Sequence, residues 1–109
     1  MDADEFCLVY VTARDRTDAE RLARHAVGLR LAACANVLGE IRSVFWWDGK
    51  VQDEPECALI LKTRKALFDD LAAAIKAGHS YDCPCVIALP LTQGSPDYLA
   101  WLAAETAAG

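Results

Sequence analysis

At 109 residues, 54% hydrophobic and 25% charged, the chain has the material for one packed core and is far too apolar for a disordered segment. Eleven basic residues against 16 acidic ones leave a net charge of -5, which argues against nucleic acid and anionic membrane surfaces as partners. Residues 1–5 are acidic and lack the basic segment and apolar run of an export signal, and no apolar stretch approaches the ~20 residues that span a bilayer.

The first element is "FCLVYVTA" (6–13), whose β-branched and aromatic side chains predict a strand. A helix follows, with Thr17 and Glu20 placed as a capping box in which hydroxyl and carboxylate satisfy free backbone donors. Ala19, Leu22, Ala23, Ala26 and Leu29 then recur at helical spacing. From Asn36 to Trp47 the pattern turns extended, and Gly39 marks a bulge or bend within it. Asp48-Gly49 predicts a tight hairpin turn, because type I′ geometry needs positive φ at both central residues. The returning strand runs from Val51 to Thr63, where Pro55 points to an edge or a bulge. Residues 64–78 read as a second amphipathic helix, with Leu67, Leu71 and Ile75 in line and Gly78 as C-cap. "CVIALPLT" (85–92) is a fourth strand. Ser95, Pro96 and Asp97 open a third helix that packs through Tyr98, Leu99, Trp101 and Leu102.

The order β-α-β-β-α-β plus a terminal helix predicts an α+β fold. It is the ferredoxin-like sandwich, with two helices on one face of a four-stranded antiparallel sheet and a long hairpin between the second and third strands.

A sheet covered on one side should alternate apolar and polar along each strand. These strands do not. Phe6, Leu8 and Tyr10 oppose Cys7, Val9 and Val11; Cys57, Leu59 and Leu61 oppose Ala58 and Ile60; Cys85, Ile87 and Leu89 oppose Val86 and Ala88. Two helices cover one side, so the other is expected to need a further subunit. Phe45, Trp46 and Trp47 at the hairpin tip support the same expectation, since a contiguous aromatic patch marks an interface.

The runs "LRLAACANV" (29–37), "SVFWWDGKV" (43–51), "LILKT" (59–63), "HSYDCP" (79–84) and "GSPDYLAWL" (94–102) resemble the CutA family of divalent-cation tolerance proteins. The resemblance covers nearly the whole chain, making residues 1–109 a single domain of that type. It implies a homotrimer built by the long hairpins, cytoplasmic residence, a likeness to PII signalling proteins, and links to copper and other divalent metals. It also implies an inter-subunit cleft, onto whose recurring positions fall Cys34, Trp47, Glu56, Lys62, His79, Tyr81, Tyr98 and Trp101. Glu56 from one chain could meet Lys62 from the next, and a purely structural ion pair would serve equally. The family's His-Pro-Tyr-x-x-Pro-Glu run differs here: Ser80 replaces the first Pro and Cys85 replaces the Glu. The carboxylate on which a hard-cation site would rely is absent.

"HSYDCPC" (79–85) places an imidazole and two thiols close together. Pro84 pushes Cys83 toward an extended backbone, which sets Cys83 and Cys85 on one face. With His79 folded over them, the three would suit Zn(II) or Cu(I). The alternative is an ordinary loop-to-strand junction with thiols as small apolar side chains. Five cysteines, an odd number without an export signal, fit a reducing compartment. Cys34 as nucleophile with His79 as base would need a third group and an oxyanion site, and neither is evident, so no enzyme is expected.

These readings converge on a trimeric cytoplasmic protein of metal-ion tolerance that binds copper or a similar cation. A PII-like trimer sensing a small molecule in the inter-subunit cleft is the alternative, and a structural scaffold is a third. No cofactor is required; Cu or Zn is the ion the thiols would take.

Overall fold

A computed structural model describes residues 1–107. Strand β1 (Phe6–Ala13) leads into helix α1 (Arg16–Gly28), then β2 (Cys34–Trp47), β3 (Lys50–Arg64), α2 (Phe68–Gly78), β4 (Val86–Pro90) and α3 (Pro96–Glu105). The four strands form one antiparallel sheet in the order β2-β3-β1-β4. This is the expected α+β, ferredoxin-like arrangement.

The hairpin follows from backbone demands visible in the sequence. Asp48 and Gly49 both have positive φ, 54° and 73°, as a type I′ turn requires. Gly39 has φ 114° where the β2–β3 register shifts, which is the anticipated bulge. β1 pairs with β3 only from Cys57 to Arg64, so the rest of β3 and its β2 partners project as a two-stranded arm. Pro55 lies in that arm, where one edge of β3 has no neighbour and the missing N–H breaks no ladder bond.

Four local expectations are corrected. The N-cap of α1 is Asp15, whose carboxylate accepts from the Asp18 N–H at 2.8 Å, so Thr17 already lies inside the helix and no Thr17–Glu20 box forms. Gly78 is the last residue of α2 and does not adopt a left-handed cap; His79 after it is extended. The fourth strand begins at Val86, leaving Cys85 in the loop before it. Residues 65–67, read as the first turn of α2, form a 3-10 turn instead.

The core lies between the sheet and the two longer helices. Val9, Val11, Leu59 and Leu61 from the sheet pack against Ala19, Leu22 and Ala26 of α1 and Leu71 and Ile75 of α2, all nearly inaccessible. A smaller cluster of Phe6, Leu99, Leu102 and Ala103 seats α3 beside the first. Leu99 and Leu102 pack as expected, whereas Tyr98 and Trp101 point outward at 40% and 42% exposure.

The opposite sheet face is apolar and open. Leu8 and Tyr10 of β1, Ile60 of β3, and Ile87 and Leu89 of β4 lie on it, as the cross-strand pairs Leu8–Leu89, Tyr10–Ile87 and Tyr10–Ile60 show. Ile87 and Leu89 are more than half exposed. Trp46 and Trp47 also stay exposed on the arm and do not fold back on the chain's own core. No helix is long and apolar enough to cross a membrane among the described residues.

Replacing Leu71, completely buried between α2 and the sheet, should leave a cavity. Leu71→Ala is expected to lower unfolding free energy by about 2–5 kcal/mol in a denaturant titration.

Candidate functional site

The loop between α2 and β4 is fastened to the rest of the chain at several points. Asp18, almost fully buried in the first turn of α1, gathers a hydrogen bond from the Ser80 hydroxyl at 3.2 Å, one from the Arg14 N–H at 3.2 Å, and an ion pair with Arg21. Arg21 also donates to the Gly78 carbonyl at 2.7 Å. Burial alone would push the Asp18 carboxyl up, but these donors outweigh it and hold it below the ordinary carboxylate range. Ser80, the residue standing where the family's motif has proline, is therefore a partner of this buried acid.

His79 completes the fastening. Its Nδ1 accepts from the Tyr81 N–H at 3.0 Å, which leaves Nε2 to donate to the Thr12 carbonyl at 2.8 Å. The pattern suits the neutral Nε2–H tautomer and occupies both ring nitrogens with backbone. Its ring also packs against that of Tyr81, with centroids 4.7 Å apart.

Beyond this clasp the arm, the end of β1 and the loop enclose a cleft of about 860 Å³. Tyr10, Thr12, Phe45, Trp47, Glu56, Tyr81, Cys83 and Cys85 all border it. Four carboxylates (Asp48, Glu54, Glu56 and Asp82) stand around it with a single guanidinium, Arg42, which is itself paired with Asp53 at 2.6 Å. Glu56 is buried, and none of the four ion pairs among the described residues reaches it. Burial first, then the nearby Glu56 charge, push the Cys85 thiol up. The same two causes, with smaller contributions from Glu54 and Asp18, push the Tyr81 phenol up.

A second group sits at the other end of the open sheet face. Cys34 and Lys62 are cross-strand partners there. Lys62 Nζ donates to the Tyr98 hydroxyl at 3.3 Å and lies 5.4 Å from the ring centroid, and the Tyr98 and Trp101 rings are 5.5 Å apart. Helix α3 is held in position to present them: Arg64 donates to Thr106 Oγ1 and the Ala103 carbonyl, and Arg30 pairs with Glu105.

A model of the CutA1 divalent ion tolerance protein family matches residues 7–105. The chain belongs to the CutA1 divalent ion tolerance family. The chloroplastic Protein CutA 1 of Oryza sativa is 48% identical over 99 residues, 91% of this chain and 56% of its own length. The chain spans about half the length of that relative and of the chloroplastic CutA protein of Arabidopsis thaliana, of which it covers 54%. The divalent-cation tolerance protein CutA of Pyrococcus horikoshii is 41% identical, with 91% of this chain and 96% of the relative aligned. The crystal structure of CutA1 from Oryza sativa superposes with a TM-score of 0.93 at 45% identity, covering 95% of each chain. The structure of the periplasmic divalent cation tolerance protein CutA from Archaeoglobus fulgidus gives 0.89 at 38% identity, covering 92% of this chain and 97% of that one.

The positions carried over from the CutA resemblance thus divide within one chain. Trp47, Glu56, His79 and Tyr81 stand at the arm end, while Cys34, Lys62, Tyr98 and Trp101 stand at the α3 end. Glu56 and Lys62 lie six residues apart on β3, roughly 20 Å at ~3.3 Å per residue. Cys34 and His79 are likewise at opposite ends, so the nucleophile–base pair considered from sequence does not form. His79, Cys83 and Cys85 do not form a ligand cluster within one chain. His79 is committed to backbone, and no cluster of three His, Cys, Asp or Glu side chains able to hold a metal ion is present among the described residues. A closed metal site does not fit this chain taken alone. The Asp18 network was missed because its partners are distant in sequence; only the Asp15-x-x-Asp18 spacing hinted at it.

Asp18→Asn is expected to cost about 1–3 kcal/mol of stability at neutral pH. Because the folded-state carboxyl titrates below its unfolded value of ~3.9, Asp18 stabilises fully above that value and its contribution is lost as pH falls through the lowered one. The variant should therefore show a shallower loss of stability on acidification, read from urea midpoints between neutral pH and pH ~2.

Proposed function

We propose that three copies assemble through the open sheet face and the hairpin arm, and that the clefts between them take up a divalent or soft metal ion, copper or one like it, as cargo. The observation that carries this reading is the cleft beside the arm, where four carboxylates and two thiols face one already paired guanidinium. Such a lining concentrates cations, and thiols favour soft ones over magnesium or calcium. One chain supplies only part of a ligand set, so a neighbouring copy or an exogenous donor completes it. The names of the relatives speak of cation tolerance and the Cys34–His79 pair is unformed, both of which support a non-enzymatic role. Five free thiols accord with a reducing compartment such as the cytoplasm.

Titration with Cu(I) and Zn(II) under reducing conditions tests this. Glu56→Gln combined with Cys83→Ser and Cys85→Ser should weaken binding about tenfold or more, equivalent to ~1.4 kcal/mol or more. Since the Cys85 thiol is held protonated, binding must displace its proton, and affinity should rise with pH through the neutral range. A variant that binds as tightly as the parent would contradict the reading.

One observation favours a second reading. The Lys62–Tyr98–Trp101 group repels cations and offers a donor beside exposed aromatic faces, which suits a small anionic molecule. That would make the assembly a PII-like sensor. Metabolite binding without metal that is lost in Lys62→Ala, with Cu(I) affinity unchanged, would select it.

A further inference from the structure

One acid of the cleft stands without a partner. Glu56 is only 8% exposed, yet no side-chain hydrogen bond or ion pair among the described residues involves its carboxylate. Polar side-chain atoms sealed from solvent all have a partner among those residues, so the unpartnered Glu56 oxygens must open onto the cleft they border. A carboxylate so enclosed is costly to leave without donors.

Its neighbours on the arm follow from the strand register. Ile41 faces Glu56, Ser43 faces Glu54 and Phe45 faces Gln52 across the β2–β3 ladder. Alternate residues of a strand share a face, so Glu56, Glu54 and Phe45 stand together on the side that also carries Ile60. The two acids are separated by ~6.6 Å along β3, at ~3.3 Å per residue. Tyr81 approaches them from the α2–β4 loop, where its N–H is bound by His79. After burial, the charges of Glu56 and then Glu54 push its phenol up, which places the ring near both.

Basic side chains leave this pair of acids free. Arg42 lies on the other face of the arm, paired with Asp53. Arg14 is paired with Asp15, and neither it nor Arg16 forms an ion pair with Glu56. Lys50 is four residues from Glu54 along β3, and Lys62 is six from Glu56.

We propose that this part of the cleft binds a short aliphatic diamine, with one ammonium group on Glu56, the other on Glu54, and the carbon chain against the rings of Tyr81 and Phe45. Ammonium N–H groups supply the donors that Glu56 lacks, which a quaternary ammonium could not do. Two acids on one face select two charges over one. Aromatic faces attract the ammonium groups and shelter the methylenes between them. At about 860 Å³ the space admits such a molecule. The site shares the acidic lining invoked for metal ions but needs neither thiol, so the two readings stand or fall separately.

Calorimetric titration of the metal-free full chain at low salt, with putrescine, butylamine and tetramethylammonium, tests this. Putrescine should bind about threefold or more tighter than butylamine, the modest worth of a second, exposed ion pair, and tetramethylammonium should bind most weakly. Glu56→Gln should weaken putrescine about tenfold, since a buried charge-assisted hydrogen bond is lost. Glu54→Gln, at an exposed position, should bring putrescine to the level of butylamine, and Tyr81→Leu should weaken both amines about threefold. Cys83→Ser combined with Cys85→Ser should bind putrescine as the parent does. Absence of putrescine binding, equal affinity for putrescine and butylamine, or an affinity untouched by Glu56→Gln would overturn the proposal. Failure with putrescine while Cu(I) still binds would sink this inference alone, and the converse would sink only the metal reading.

Discussion

The sheet of this chain has apolar side chains on two faces and helices for one. Leu8, Tyr10, Ile60, Ile87 and Leu89 form a continuous surface that neither α1, α2 nor α3 covers. Leaving such a surface in water forgoes about 25 cal/mol for every Å² that could be buried. The hairpin arm belongs to the same problem, since its exposed Trp46 and Trp47 extend the molecule to 45 Å along its long axis without adding to its own core.

The two chemical groups stand at opposite ends of that uncovered face. The acidic, thiol-bearing cleft lies where the arm and the α2–β4 loop border Thr12 and Glu56. The basic, aromatic group lies where α3 brings Tyr98 and Trp101 to Lys62. Within one chain they are too far apart to cooperate. The assembly proposed above would bury the face and form its crevices with the same contacts. Burial and recognition then have one cause, and a substitution that loosens the interface would be expected to empty the clefts.

Features dictated by backbone geometry were legible in the sequence. Asp48-Gly49 and Gly39 fall at positions where positive φ is required, and few residues adopt it readily. The two-faced apolar pattern was legible because a strand's side chains alternate strictly. Where two local patterns competed, the sequence misled. Thr17–Glu20 read as the helix start, but Asp15 caps it instead, in a setting where Asp18 is also held by Arg21 and Ser80. Gly78 looked like a cap, yet the chain turns directly into the extended His79.

The sequence marked His79, Cys83 and Cys85 as neighbours in one loop and not how that loop is held. His79 near two cysteines suggested ligands, but the imidazole's partners are the carbonyl of Thr12 and the N–H of Tyr81. The first of those contacts closes only when α2 has packed on the sheet, and no spacing rule encodes it. Glu56 and Lys62, six residues apart on β3, share a face, and the strand's length separates them. Sedimentation equilibrium of the purified chain at micromolar concentration bears most directly on all of this. The account predicts a single species of three times the 11.9 kDa chain mass, and a folded monomer at that concentration would contradict it.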